Sequence, residues 1–439
     1  MNKELKKKRL LLLGGSHYVI PAIKAAHDLG YYVITCDYLP DNAGHKYADE
    51  YHNVSTIDKE GVLELAKSLN IDGILSFAND SGVVTAAYVA DVLDLPTCPY
   101  SSVCILQNKD LFRKFLSENG FVVPKAQGYS RFEDVIDDIS TFTFPVIVKP
   151  VDSCGSKGVT KVESVDQLHD AVDVALARSF SGRFIVEEFI TQKGYSSDTD
   201  CFSIDGELVF CSFNNQRFDA DAENPYTPSG FSWPSSMSAE HQAELRSELQ
   251  RLMRLLNMGT TIYNIETRVG VDGKAYIMEV SPRAGGNRLA EMLRTACGQD
   301  LITNAVRAAV GDPVGELHDP IYDGCYAEYI LHADESGLFV ELDIDEEFAD
   351  SFVIERDLWV AAGDEVHAFS GANETIGTLV LRFESQDELE MYMRDIKEYV
   401  QVCVENSASI GGVGVSRGIK PPYHLFSPIF IASDKRCSA

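Results

Sequence analysis

The sequence predicts an α/β fold at its N-terminal end that gives way to α+β architecture. Three observations predict it. Strand-like and helix-like runs alternate through residues 1–98, which implies a parallel sheet with right-handed crossovers. From 142 onward, apolar runs come in pairs joined by short turns such as Asp205-Gly206 and Asp272-Gly273, a pattern of antiparallel hairpins. Two punctuations, Pro96–Pro99 and Gly311-Asp312-Pro313, divide the chain into 1–98, 99–312 and 313–439.

The elements follow in order. Leu10–Leu13 reads as a buried strand ending at Gly14-Gly15-Ser16, with a helix over Pro21–Leu29 and a strand at Tyr32–Cys36. Lys59–Leu69 and Val83–Leu93 read as helices on either side of a strand at Gly73–Phe77. The turn 14–16 lacks the full GxGxxG of a dinucleotide site and reads as a tight strand–helix turn. The crevice at the strand ends remains available to a substrate. Lys109–Asn119 is an amphipathic helix closed by Gly120. Residues 142–149 and 159–162 are strands around the loop Asp-Ser-Cys-Gly-Ser-Lys-Gly (152–158), followed by a helix at Val165–Ala177 and a strand at Phe184–Phe189. Residues 201–213 form a hairpin. Residues 216–236, rich in Pro, Ser and Asn, read as a long loop over the site, with Arg217, Tyr226 and Trp233 placed to select a substrate. Ala239–Leu256 is an amphipathic helix, and Thr260–Val269 and Ala275–Val280 are paired strands. Beyond 312 come strands at Cys325–Leu331, Phe352–Val360 and Thr378–Phe383 and a helix over Ser385–Val402.

Composition narrows the function classes. A chain of 439 residues with 45% hydrophobic content and 16 prolines is globular, with room for two to four domains. A net charge of −29 disfavours nucleic acid and anionic lipid as partners. The ten cysteines include no CxxC pair and read as reduced thiols of a cytoplasmic protein. The Leu10–Leu13 run is too short for a signal-peptide core, and no apolar run approaches the roughly 18 residues that span a bilayer.

An acidic protein must concentrate its cations where it holds anions. Lys149 ends the run Phe-Pro-Val-Ile-Val-Lys-Pro (144–150), and Lys109 opens a helix 40 positions earlier. Two ammoniums on separate elements can grip separate phosphates as point charges. Gly155 and Gly158 leave backbone N–H groups of the intervening loop open to phosphate oxygens. Glu266 and Glu279 end adjacent antiparallel strands. A register across Asp272-Gly273 sets them side by side, where they repel unless a cation sits between them. Arg283 follows closely and can neutralise a transferring phosphoryl group or a substrate carboxylate.

This ordered set, Lys109, Lys149, the glycine loop, Glu266, Glu279 and Ser-Pro-Arg-Ala-Gly-Gly-Asn (281–287), resembles the ATP-grasp superfamily, and its L-amino-acid-ligase-like and carbamoyl-phosphate-synthetase-like carboxylate–amine ligases above all. The resemblance spans about residues 1–310. It implies an N-terminal open parallel α/β domain, a two-subdomain ATP-binding core with a mobile lid at about 150–185, and a C-terminal α+β domain. It assigns Lys109 and Lys149 to the phosphates, Ser156 to Gly158 to the nucleotide-binding lid loop, and Val186-Glu187-Glu188-Phe189-Ile190 to the adenine hinge, with Glu188 and Ile190 binding through backbone groups. It makes Glu266 and Glu279 ligands of Mg²⁺ (or Mn²⁺) and Arg283 the catalytic arginine. Two departures stand out. Glu279-Val280-Ser281 replaces the common Glu-x-Asn, which moves metal ligation toward Asn287 or water. Gly194-Tyr195-Ser196 lacks the usual ribose-binding Glu, which leaves the ribose to Asp198, Asp200 or no acid at all. The implied activity is amide or peptide bond formation from a small-molecule carboxylate and amine through an acylphosphate, releasing ADP and phosphate. The alternatives are a bicarbonate-activating carboxyphosphate enzyme and a non-catalytic nucleotide-binding module. The resemblance is compatible with a homodimer.

Overall fold

A computed structural model describes residues 7–153, 155 and 157–405. The chain begins with a four-stranded, wholly parallel sheet, in the order Glu50–His52, Tyr32–Cys36, Arg9–Leu13, Gly73–Leu75. Leu10 to Leu13 are fully buried because both faces of this sheet are covered. On one side Leu11 and Leu13 share a core with helices Lys59–Leu69 and Asp80–Leu93. On the other, Leu10 and Leu12 pack with helices Ile20–Asp28 and Leu301–Ala309. The last of these lies more than two hundred residues downstream, so the first unit is completed by a later one.

Two antiparallel sheets follow. Ala126–Tyr129, Phe184–Glu188, Val146–Pro150 and Thr160–Val162 form one, in that order, with helix Leu168–Leu176 on its apolar face. The other has the order Glu207–Cys211, Ser197–Ile204, Thr261–Val269, Ala275–Ser281. Its first hairpin turns at Asp205 (φ 50°) and Gly206 (φ 80°), the two left-handed residues that such tight turns require. Helix Ala239–Leu255 covers one face through Leu245, Leu249, Leu252 and Met253.

The segment 216–236 is not a loop over the site. Asn215–Phe218 and Pro228–Trp233 are paired strands that join Cys325–Leu331, Gly377–Phe383 and Val353–Leu358 in a five-stranded sheet. Ser229 to Trp233 are all buried, as in a strand covered on both faces, a status hidden in the sequence by the Pro, Ser and Asn content of the segment. This sheet straddles position 312. Arg217 points into it, donating to Ser232 Oγ and pairing with Glu390 at 2.7 Å. The helix expected over Ser385–Val402 stops at Arg394. A 3₁₀ turn follows, then the strand Val400–Glu405, which pairs with Gly337–Ile344. Among the described residues no helix is long and apolar enough to cross a membrane.

The joint between the first sheet and helix Leu301–Ala309 is tight enough to test. A Cβ at Gly73 would lie 2.1 Å from the Ala309 carbonyl oxygen. Gly73→Ala must therefore push the helix away from the strand, at a cost of about 1–3 kcal/mol. Urea unfolding of the two proteins measures it. An unchanged midpoint would mean that the sheet and helix are not in contact.

Candidate active site

The site is built on the strands Ser197–Ile204, Thr261–Val269 and Ala275–Ser281. Their register sets Asp198 opposite Glu266 and Glu266 opposite Glu279, three carboxylates in a row across the sheet. The next row of the same register is Asp200, Asn264 and Ser281. Residues two apart share a sheet face, so both rows look the same way. Asn264 Nδ2 sits between the two aspartates, donating to Asp198 Oδ1 at 2.7 Å and to Asp200 Oδ1 at 3.4 Å. Burial, with Glu266 beside it, pushes Asp198 up to about 7. Burial alone lifts Asp200 to the same range against the pull of the Gly285 N–H, which donates to its Oδ1 at 2.7 Å. Asp200 Oδ2 is buried without a hydrogen-bond partner among the described residues.

The cations approach from two sides. Asn108 caps helix Lys109–Glu118 by accepting from the N–H groups of Asp110 and Leu111. Lys109 therefore leaves the first turn in a fixed direction. Its ammonium donates to the Ser153 carbonyl at 2.8 Å and lies 3.7 Å from Glu279 Oε2. It thus bridges the glycine loop and the carboxylate row. Lys149 Nζ pairs with Glu187 Oε1 at 3.1 Å, while Arg113 Nε donates to the other oxygen at 2.5 Å. Glu187 is only 3% exposed, and the two cations hold its carboxyl down at about 2 despite burial. Lys149 is shifted down by burial, with Arg113 and Lys109 adding to the effect against Glu187. Two buried cations thus share one carboxylate, which leaves an excess positive charge beside Lys109.

Arg283 forms a forked pair with Asp80, Nε and Nη2 each 2.7 Å from a different carboxylate oxygen. Burial works against its charge and Asp80 outweighs that, so the guanidinium stays ionised. Asp80 opens a helix at the C-terminal end of strand Gly73–Leu75, beside the loop Gly14-Gly15 at the end of Arg9–Leu13. Chain connections diverge at that point of a parallel sheet, leaving a crevice. Ser281 Oγ also donates to Asp80, at 3.0 Å, and accepts from Gln107 Nε2 at 2.8 Å.

The expected residues are thus distributed as follows. Lys109, Asp198, Glu266 and Glu279 meet on one sheet face, and Arg283 reaches its edge, its charge felt by Asp198 and Asp200. Asp198 stands in the carboxylate row, so the ribose role expected for it does not follow from its position. Glu187 spends its carboxylate on Lys149 and Arg113. Glu188 accepts from the Thr143 N–H and its own N–H donates to the Lys125 carbonyl; Ile190 follows in the turn after the strand. Asn287, at φ 52°, faces Tyr18, whose hydroxyl donates to its Oδ1 at 3.2 Å. Gly158 keeps a left-handed φ of 75° against Pro150 and Arg178. Ser156 lies outside the described residues. Sequence reasoning missed Asp80, Arg113, Gln107 and Asn264. Only Asp80 left a signal, an acid just after a strand of the parallel sheet.

Lys109 lies beside Glu279 and Arg268 Nη2 pairs with Glu266 Oε1 at 2.8 Å, and the oxygens that face one another across the row still suit a hard divalent ion. Glu266 and Glu279 offer oxygen ligands from adjacent strands, with Asp198 beside them. Asn287 is turned toward Tyr18 and is less well placed.

Known proteins resemble this chain in sequence and in fold. Residues 142–291 match the ATP-grasp domain family. The large chain of carbamoyl phosphate synthase from Thermoanaerobacter sp. (strain X514) is 25% identical over 270 residues, 61% of this chain and 24% of that one. Carnosine synthase 1 of Gallus gallus is 26% identical over 297 residues, 63% of this chain and 31% of its own length. The chain thus spans about a quarter to a third of these relatives. Formate-dependent phosphoribosylglycinamide formyltransferase from Synechococcus sp. (strain WH7803) is 24% identical over 70% of this chain and 77% of that one. The crystal structure of an L-amino acid ligase from Bacillus licheniformis superposes with a TM-score of 0.75 at 19% identity, covering 91% of this chain and 99% of that one. Residues 142–291 thus carry the match to the ATP-grasp domain, and the fold of the chain is the ATP-grasp fold.

The Glu187 trio has a pH signature. Its folded pKa lies below the ordinary 4.5, at about 2. The stability it contributes is therefore complete above about pH 5 and drains away as pH falls toward 2. Glu187→Gln leaves two buried cations unpaired and costs about 3–5 kcal/mol near neutrality. Unfolding measured from pH 7 to pH 2 should show the gap between wild type and variant narrowing only below about pH 5. A gap that stays constant would remove the ion pair.

Proposed function

We propose that this protein is an ATP-dependent carboxylate–amine ligase that makes an amide or peptide bond through an acylphosphate and releases ADP and phosphate. The observation that carries this reading is the facing pair Glu266 and Glu279 with the Lys109 ammonium 3.7 Å from the second. Carboxylates placed so are the partners of a cation that itself holds phosphates. The excess positive charge at Arg113, Lys149 and Lys109 supports the same conclusion, because a triphosphate supplies the missing anion.

The residues divide the work. Lys149, held by Glu187, and Lys109, held by the Ser153 carbonyl, orient the phosphates without reorganising as charge moves. The strand end and turn at 186–190 hold the adenine. Glu266, Glu279 and Asp198 are the acids for Mg²⁺, which supplies neutralisation of phosphate charge when bound. Arg283, at the crevice between the first sheet and the carboxylate row, faces the reacting carboxylate or phosphoryl group. The substrate carboxylate oxygen attacks the γ-phosphorus and the bond to ADP breaks. The amine then attacks the acyl carbon, phosphate leaves with that oxygen, and the amine loses its proton. Such chemistry needs positioning and charge neutralisation rather than a protein nucleophile.

The test is phosphate release across a panel of carboxylates and amines with ATP and Mg²⁺. With the acid labelled by ¹⁸O in its carboxylate, one labelled oxygen should reach the released phosphate. AMP with pyrophosphate as the products would replace the acylphosphate by an adenylate, and turnover with bicarbonate alone would favour carboxyphosphate chemistry. Glu279→Gln should lower turnover by about 100-fold or more and leave the thermal unfolding midpoint nearly unchanged. Turnover near wild type at low Mg²⁺ would remove Glu279 from the metal site.

A further inference from the structure

Phe231, Tyr326, Ile330 and Val380 line the face of the five-stranded sheet that packs toward helix Leu289–Cys297. Glu328 interrupts that apolar face. It stands mid-strand between its register partners Phe231 and Val380 and is fully buried. Neither carboxyl oxygen has a hydrogen-bond partner among the described residues. Desolvating both oxygens without replacing their water contacts is unfavourable, and a leucine there would incur no such penalty. A carboxyl in that position is explained by something that comes to it.

Its surroundings indicate what. Arg288 reaches under the same face, donating to Thr378 Oγ1 at 2.8 Å. It pairs with Glu291 at 3.3 Å, with Glu355, and with Asp357 at 3.7 Å. One guanidinium therefore serves three carboxyl groups. Burial holds Glu328 well above the carboxylate range; Arg288 pulls it down, and Glu291 and Glu355 push it up. Aromatic groups close the other side. His17 stacks on Trp359 with ring centres 4.8 Å apart, and Tyr18 meets the same indole edge-on at 5.6 Å. The indole N–H donates to Asp357 Oδ2 at 2.9 Å. The Tyr18 hydroxyl donates to Asn287 Oδ1, close enough to Glu328 to feel its charge. Asn287 follows the turn whose Gly285 N–H holds Asp200. This cluster thus adjoins the carboxylate row through Asn287 and Gly285 and is drawn from three segments: the loop after the first strand, the turn 285–288 and the C-terminal sheet.

We propose that this cluster recognises a primary ammonium group on one of the substrates, with Glu328 as its carboxylate partner and Tyr18 and Trp359 as its aromatic wall. An ammonium supplies the donors that Glu328 lacks, balances the excess of acid around Arg288, and gains from aromatic faces. The word substrate rests on the ligase reading; the ammonium site itself does not.

Calorimetry on the full chain without ATP tests the site directly. The probes are L-alanine, L-leucine and L-phenylalanine, then propionate, 4-methylpentanoate and 3-phenylpropionate, which lack the amine, then ethylamine, 3-methylbutylamine and 2-phenylethylamine, which lack the acid. Amine-bearing probes should bind at least about 10-fold more tightly than the amine-free acids. Glu328→Gln should erase that preference while affinity for ADP with Mg²⁺ stays as in the wild type, and Glu328→Asp should keep part of it. Binding of amino acids but not of simple amines places the ammonium on the acid substrate, and binding of simple amines places it on the attacking amine; either supports the site. Wild-type protein that binds none of the probes, or binds amine-free acids equally well, overturns it without any variant. So does a folded Glu328→Gln protein that keeps the preference. Intact ammonium binding with no phosphate release from any acid and amine pair would sink the ligase reading and leave this one standing.

Discussion

Like charges on neighbouring strands repel, and the arrangement of this molecule depends on how it tolerates them. Asp198, Glu266 and Glu279 stand in one row across a sheet, with Asp200 in the next. The fold withholds solvent from two of the four, so Asp198 and Asp200 hold protons more strongly than ordinary aspartates. It supplies Asn264 as a neutral bridge and Lys109 at the far end. A sheet carrying such a row is a poor structural element by itself. It becomes a good one when a cation and its phosphates complete the charge.

The positive side is organised by the same economy. Arg113 has no view of the carboxylate row, yet it fixes Glu187, which fixes Lys149. A lysine on a flexible stem is a weak instrument, and one anchored by a buried carboxylate is preorganised before a nucleotide arrives. The Arg283 fork to Asp80 does the equivalent for the arginine, with a difference. Asp80 belongs to the first parallel sheet, so the guanidinium is aimed by a part of the chain two hundred residues away.

Legibility in the sequence followed the range of the determining interaction. The parallel strands, the hairpins at Asp205-Gly206 and Asp272-Gly273, and the pairing of Glu266 with Glu279 were readable because strand period and turn chemistry are local. Lys109 and Lys149 could be picked out by type and spacing. Arg113, Gln107 and Asn264 could not, since each looks like an ordinary helix or strand residue until tertiary packing turns it inward. Within the expected loop 216–236, the strands Asn215–Phe218 and Pro228–Trp233 were missed because their status comes from pairing with each other and with Cys325–Leu331, which composition does not encode. Ser385–Val402 failed for a related reason: a helical pattern is overridden after Arg394 by the pairing of Val400–Glu405 with Gly337–Ile344.

That shared sheet has a consequence for how the chain comes into being. Strand Pro228–Trp233 finds its second partner only at Cys325, roughly ninety residues later. At a synthesis rate of about 5–20 residues per second, this hairpin leaves the ribosome seconds to tens of seconds before the strand that covers its edge. Through that interval Phe231 and Trp233, fully buried in the finished protein, have only part of their cover. The nascent chain presents an apolar, unpaired edge at this stage, the kind of surface that holding chaperones engage. Slower translation between 233 and 325 would lengthen that exposure while the amino-acid sequence stayed the same.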